Sequence, residues 1–127
     1  MIIGTGIDIV RVKRIKEVVK KWDRAFLEKV FTEKELSYCL SKKDPFQSLA
    51  ARFACKEAFI KAIKDSRGIL FKDIEVRNKN NGEPRIEVSK RLAKILKAKG
   101  VKQIHLSLSH EREFAVAQII MVSDEDS

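Results

Sequence analysis

The chain has 127 residues, 44% apolar and 35% charged, with five glycines and two prolines. That is enough for one domain with its own core and too little for two comfortable ones. Its 27 Lys and Arg against 18 Asp and Glu give a formal net charge of +9. Such a surface calls for an acidic partner, whether nucleic acid, anionic lipid, a phosphorylated ligand or an acidic protein, without choosing among them. No apolar run approaches the roughly 18 residues that a membrane span needs. Repeats, low-complexity tracts and the basic n-region of a secretory signal are all missing. Cys39 and Cys55 lack CxxC pairing and fall in helical patterns; they read as small buried hydrophobes of a reduced, cytoplasmic protein.

In chain order, "MIIGTGIDIV" reads as a first strand whose Gly4 and Gly6 mark the close approach of another backbone or a ligand. From Val12 to Trp22 the apolar residues recur at helical spacing, and the opposite face carries Lys13, Arg14, Lys16, Lys20 and Lys21. A short helix follows over Arg24 to Val30. "TEKE" supplies a capping box, with Thr32 as N-cap and Glu35 reaching back, for a helix through about Leu40. Asp44 and Pro45 then open the longest helix, to about Ile63 or Lys64, with Gly68 just past its end. Beyond it the period becomes alternating. "DIEVRN" and "PRIEV" form a hairpin around Asn80, Asn81 and Gly82. Ser89 caps a helix that Gly100 closes. "KQIHLSLSH" alternates Ile104, Leu106 and Leu108 against His105, Ser107 and Ser109, and "AVAQIIMV" is a last strand. The order predicts an α+β fold with a mostly antiparallel sheet packed against one long helix and several shorter ones. Residues 1–122 are expected to form a single domain, with 123–127 a disordered acidic tail.

Two carboxylates sit where apolar residues would pack. Glu57 interrupts the helical stripe Phe46, Leu49, Phe53, Ile60, and a charge buried alone there would be costly or would protonate. Lys61, four residues on in the favourable order, is one compensation. Asp8 stands between Ile7 and Ile9; it either alternates outward into water or shares its answer with Glu57. A shared answer is Mg²⁺, which takes one or two carboxylates and completes its shell with water and substrate phosphates. Lys56, Lys61 and Lys64 would suit those phosphates. "GTGID" is no phosphate loop, since neither G-K-[ST] nor a third glycine follows. Cys39, Cys55, His105 and His110 lack the paired spacing of a structural zinc site. Ser107, Ser109 and His110 come without a nucleophile elbow.

Taken together, "GTGIDIV", a basic amphipathic helix, "FTEKEL", "RFACKEAFIKA", "GEP" and "HLSLSH" before a last apolar strand resemble bacterial holo-[acyl-carrier-protein] synthase over nearly the whole chain and in the same order. The resemblance implies a 4′-phosphopantetheinyl transferase fold. It also implies transfer of 4′-phosphopantetheine from coenzyme A to a serine hydroxyl of apo acyl carrier protein, with release of 3′,5′-ADP, in fatty acid biosynthesis. By the same resemblance the enzyme is a homotrimer with active sites at subunit interfaces, and Mg²⁺ is held by Asp8 and Glu57. Lys61 would stabilise charge on the transferring phosphate, and Glu57 would act as general base. His105, Arg52, Lys61 and Lys64 would contact coenzyme A. Arg11, Lys13 and Arg14 on the basic helix would dock the acidic carrier protein. Two other readings stand beside it: a non-catalytic basic module that binds nucleic acid, and a relative that binds coenzyme A without catalysing.

Overall fold

A computed structural model describes residues 1–124. Its organising element is helix α4 (Pro45–Ile63), laid against a three-stranded antiparallel sheet of β1 (Ile2–Arg11), β5 (Phe114–Ser123) and β4 (Val101–His110), in the order β1-β5-β4. Period-two alternation sends Gly4, Gly6 and Val10 of β1 to the helix side, with Ala115, Ala117, Ile119 and Met121 of β5. The helix answers with small residues: Ala50, Ala51, Ala54, Ala58 and Ala62 are all buried.

The contact between β1 and α4 is backbone against backbone. A Cβ on Gly6 would stand 1.9 Å from the Ala58 carbonyl oxygen, and one on Gly4 would stand 2.2 Å from that of Ala62. Any side chain at either position would force strand and helix apart.

The other elements close the ends of this core. Helix α1 (Val12–Trp22) continues directly from β1 and buries Val12 and Ile15. Helices α2 (Arg24–Val30) and α3 (Glu33–Leu40) follow, α3 starting on the expected capping box, with the Thr32 N–H donating to Glu35 Oε1 at 3.0 Å. Asp44 caps α4 by accepting from the Phe46 N–H. After a 3₁₀ turn at Phe71–Asp73, β2 (Ile74–Asn78) and β3 (Pro84–Val88) pair as a separate two-stranded hairpin whose turn uses Gly82 at φ +89°. Helix α5 (Lys90–Ala98) is capped by Ser89 and followed by Gly100 at φ +81°.

Helix α4 ends at Ile63, within the expected bounds, and closes on Lys64 at φ +68°, with Gly68 farther along; the Asp65 N–H donates to the Ile63 carbonyl at 2.8 Å, a tight turn that stops the helix without glycine. Two expectations need correction. Glu57 is not at the centre of the core: α4 is buried round most of its circumference, and Phe53, Glu57 and Ile60 form its half-buried rim. Ser123, expected outside the last strand, instead ends β5 and donates its N–H to the Met1 carbonyl at 2.8 Å. Residues 125–127 of the expected tail lie outside the described residues.

Replacing Gly6 by Ala should destabilise the protein by about 3 kcal/mol, as overpacking against backbone that cannot give way. Thr5→Ala, on the exposed side of the same strand, should fall within about 0.5 kcal/mol of wild type. Urea unfolding of the two variants measures the difference.

Candidate active site

The close packing of β1 on α4 also sets what comes next along the strand. Two strand residues advance about 6.7 Å, and four helical residues advance about 6 Å. Gly4 over Ala62 and Gly6 over Ala58 therefore keep step, in opposite directions, and Asp8 falls beside the next turn of α4. Asp8 faces the helix, so the outward alternative is excluded. Its Oδ1 accepts from Lys61 Nζ at 2.9 Å, and the same ammonium donates to the Ile7 carbonyl at 3.0 Å. Lys61 thus reaches across to the strand.

Asp8, Glu57 and Arg14 line one cleft of about 230 Å³, walled by Ile15, Val18, Phe26 and Phe53. Glu57 is held above the ordinary carboxylate range. Partial burial is the main cause, the Asp8 charge adds to it, and Lys61 and Arg14 oppose both. The cleft therefore holds two carboxylates in mutual repulsion, with cations on either side. That donor set suits Mg²⁺, whose remaining shell is water and phosphate oxygen. No third His, Cys, Asp or Glu among the described residues completes a metal-holding group with them, so the donors resemble neither a structural zinc site nor a closed calcium cage.

The other expected site residues divide. Arg11 stands 5.1 Å over the Phe114 ring, and Lys13 lines an adjoining basic groove of about 450 Å³ with Lys16, Lys20, Phe46 and Arg112. Arg14 is the member of the basic helix that enters the carboxylate cleft. Arg52 points elsewhere: it is buried, donates to Asn78 Oδ1 at 2.6 Å and stacks 4.4 Å over the Tyr38 ring. Its Nε is buried without a hydrogen-bond partner. Lys64 sits at the C-terminal end of α4, in its left-handed turn, beside Ile3, Lys99 and Val101. His105 lies on the exposed side of β4, across from Ile120, on the sheet face away from α4. Within the chain the sheet separates His105 from the carboxylates. Lys56 is a correction: it is fully buried and salt-bridged to Glu35 at 2.8 Å, so it contacts no phosphate.

Residues 4–119 match the family described as the 4′-phosphopantetheinyl transferase superfamily. The chain belongs to this superfamily. The holo-[acyl-carrier-protein] synthase of Halothermothrix orenii is 47% identical over 121 residues, covering 94% of this chain and 97% of that protein. The crystal structure of holo-[acyl-carrier-protein] synthase from Neisseria meningitidis superposes with a TM-score of 0.91 at 35% identity, covering 97% of this chain and all of that one. A holo-(acyl-carrier-protein) synthase from Bacillus anthracis in complex with CoA (3′,5′-ADP) superposes at 0.80 with 37% identity, covering 98% and 99%. The α+β architecture expected from the sequence is that of these phosphopantetheinyl transferases.

In this transferase the sequence reading missed the Glu35–Lys56 pair. Glu35 is both the expected capping residue and the counter-ion of Lys56. A signal was present: Leu49, Arg52, Lys56, Phe59 and Ile63 follow helical spacing along the most buried side of α4. A lysine in that stripe requires a buried carboxylate partner.

The electrostatics of Glu57 give a stability prediction with a definite sign. Its folded-state pKa is raised, so ionised Glu57 destabilises the metal-free fold above its unfolded pKa, and protonation removes the cost. Glu57→Gln should therefore raise the melting temperature at pH 7 without divalent metal. The gain should shrink as pH falls below the raised folded-state pKa and vanish below the ordinary Glu value of 4.5. Thermal melts across pH, with EDTA present, test this.

Proposed function

We propose that the chain transfers 4′-phosphopantetheine from coenzyme A to a serine hydroxyl of apo acyl carrier protein, releasing 3′,5′-ADP, for fatty acid biosynthesis. The observation that carries this reading is the cleft that gathers Asp8, Glu57 and Arg14 from elements distant in sequence, with Lys61 bonded to Asp8 at 2.9 Å. The names of the relatives support the same reading.

The reaction breaks the phosphoanhydride bond of coenzyme A and forms a phosphodiester bond to the serine oxygen. Glu57 takes the serine proton as the hydroxyl oxygen attacks the β-phosphorus. The bond to the α-phosphate oxygen breaks, and 3′,5′-ADP leaves with the electron pair. Lys61, anchored on Asp8 and the Ile7 carbonyl, presents a fixed ammonium to the charge that develops on the phosphates. Asp8 and Glu57 would hold Mg²⁺, which supplies charge neutralisation and a template for the pyrophosphate when bound.

The reading places active sites at the seams of a homotrimer. Ile7 and Ile9 are 60% and 65% exposed on the outer sheet face, next to half-buried Val116 and Ile120. Such an apolar sheet face suits an interface between copies. It also carries His105, so a second copy seated there would bring His105 towards the nucleotide that the first copy's cleft holds. Arg52 and Lys64 are further phosphate contacts in this reading, Arg52 only if it gives up Asn78. Arg14, flanked by Arg11 and Lys13, docks the acidic carrier protein beside the cleft. Both cysteines are free and buried, and burial pushes their thiols up to about 11 for Cys39 and about 12 for Cys55, which suits a reducing cytoplasm. No helix among the described residues is long and apolar enough to cross a membrane. Residues 1–122 act as one domain in this account.

Incubation with apo acyl carrier protein, coenzyme A and Mg²⁺ should raise the carrier's mass by one phosphopantetheine group, and EDTA should abolish the gain. A folded cognate carrier left unmodified would contradict the transferase reading. Arg14→Glu should weaken carrier binding at least tenfold, as reversal of a steering and docking charge, and much more than it weakens coenzyme A binding, although Arg14 also lines the cleft. Equal loss of both would remove Arg14 from the carrier interface.

A further inference from the structure

The least expected group in the protein is a fully buried lysine next to the catalytic glutamate. The Lys56 ammonium and the Glu35 carboxylate both have no solvent exposure. All three Lys56 donors are used: Glu35 Oε1 at 2.8 Å, the Phe71 carbonyl at 3.0 Å and the Ile74 carbonyl. Glu35 in turn accepts from the Thr32 N–H at 3.0 Å and the Val76 N–H at 2.9 Å. One ion pair thus ties the middle of α4 to the start of α3, the 3₁₀ turn and β2.

A buried ion pair contributes little net stability compared with apolar residues of similar size, so its retention calls for an account in terms of geometry. Two features connect it to the cleft. Successive helical residues are about 100° apart round the axis, so anchoring Lys56 to two backbone carbonyls on one side of α4 fixes the direction of Glu57 on the next. Phe71, whose carbonyl Lys56 holds, packs its tilted ring on Phe53 with ring centroids 5.9 Å apart, and Phe53 packs likewise on Phe26 at 6.1 Å. Phe53 and Phe26 form the apolar wall facing Glu57.

We propose that Lys56 and Glu35 are positioning residues for the transfer reaction: their buried pair sets the rotation of α4 and the seat of the Phe53–Phe26 wall, and so holds Glu57 in register with Asp8 and Lys61. Neither touches substrate. The proposal rests on the transferase reading above, and it adds that catalysis depends on a charge pair outside the cleft.

The test compares wild type with Lys56→Met, Glu35→Gln and the destabilised control Leu92→Ala, whose fully buried side chain lies on the remote helix α5. Each is assayed well below its melting temperature, and calorimetric titration with coenzyme A counts competent sites. Lys56→Met should bind coenzyme A at full stoichiometry, with affinity and KM within about threefold of wild type. Its kcat per binding site should fall at least tenfold, which is about 1.4 kcal/mol of transition-state stabilisation. Leu92→Ala should keep its kcat per site despite its lower melting temperature. Should Lys56→Met fail to fold, Glu35→Gln, which keeps the shape and an acceptor, decides by the same split. An unchanged kcat per site in a folded variant overturns the proposal, and so does a parallel loss in the Leu92→Ala control. Lack of transfer by wild type would instead overturn the transferase reading.

Discussion

The structure depends on the contact of one strand with one helix at a separation that admits no side chain. Gly4 and Gly6 bring β1 onto the carbonyls of Ala62 and Ala58, and the near match between two strand residues and one helical turn carries that contact forward to Asp8. Because the strand lies so close, an aspartate on it reaches a lysine from the helix without a long bridge, and both stand beside Glu57. The constraint is steric at the glycines and electrostatic two residues later. The arrangement costs the metal-free protein something, since Glu57 is pressed against Asp8 in a partly buried cleft. Sites that gather like charges commonly trade stability for function in this way.

A second contact on the same helix holds the opposite side. Lys56 is clamped by Glu35 and two carbonyls, one turn of sequence away from Lys61, which is held by Asp8 and the Ile7 carbonyl. Two lysines five residues apart thus have opposite roles: one is sealed in the core and ties α4 to α3 and β2, while the other stands at the cleft. Their similarity in sequence conceals the difference, which comes from the side of α4 each occupies.

Local signals were well legible in the sequence. The capping residues Thr32, Asp44 and Ser89, the turn at Gly82 and the alternation in β4 depend on neighbours within a few residues, and each is present in the structure. Asp8 and Glu57 were legible as oddities because a carboxylate breaks an apolar pattern whatever the fold. What remained hidden depends on contacts between distant segments. The partner of Lys61 is on β1, that of Lys56 on α3, and that of Arg52 on β2; no spacing rule within α4 identifies them. The end of α4 was legible too, although Lys64 closes it at positive φ, a conformation that side chains other than glycine seldom adopt.

The proposed function has as its central claim that one catalytic centre would be assembled from the Asp8–Glu57 cleft of one copy, with Lys61 beside it, and the outer sheet face of another. Mixed assemblies of Glu57→Gln and His105→Ala chains test it most directly. Each variant alone should be nearly inactive in carrier modification. In a random equal mixture, prepared by joint refolding, one seam in four would pair an intact Glu57 with an intact His105 from its neighbour, so activity should return to about a quarter of wild type. Activity that stays at the level of the separate variants would contradict the account, and would place both residues' work within a single copy.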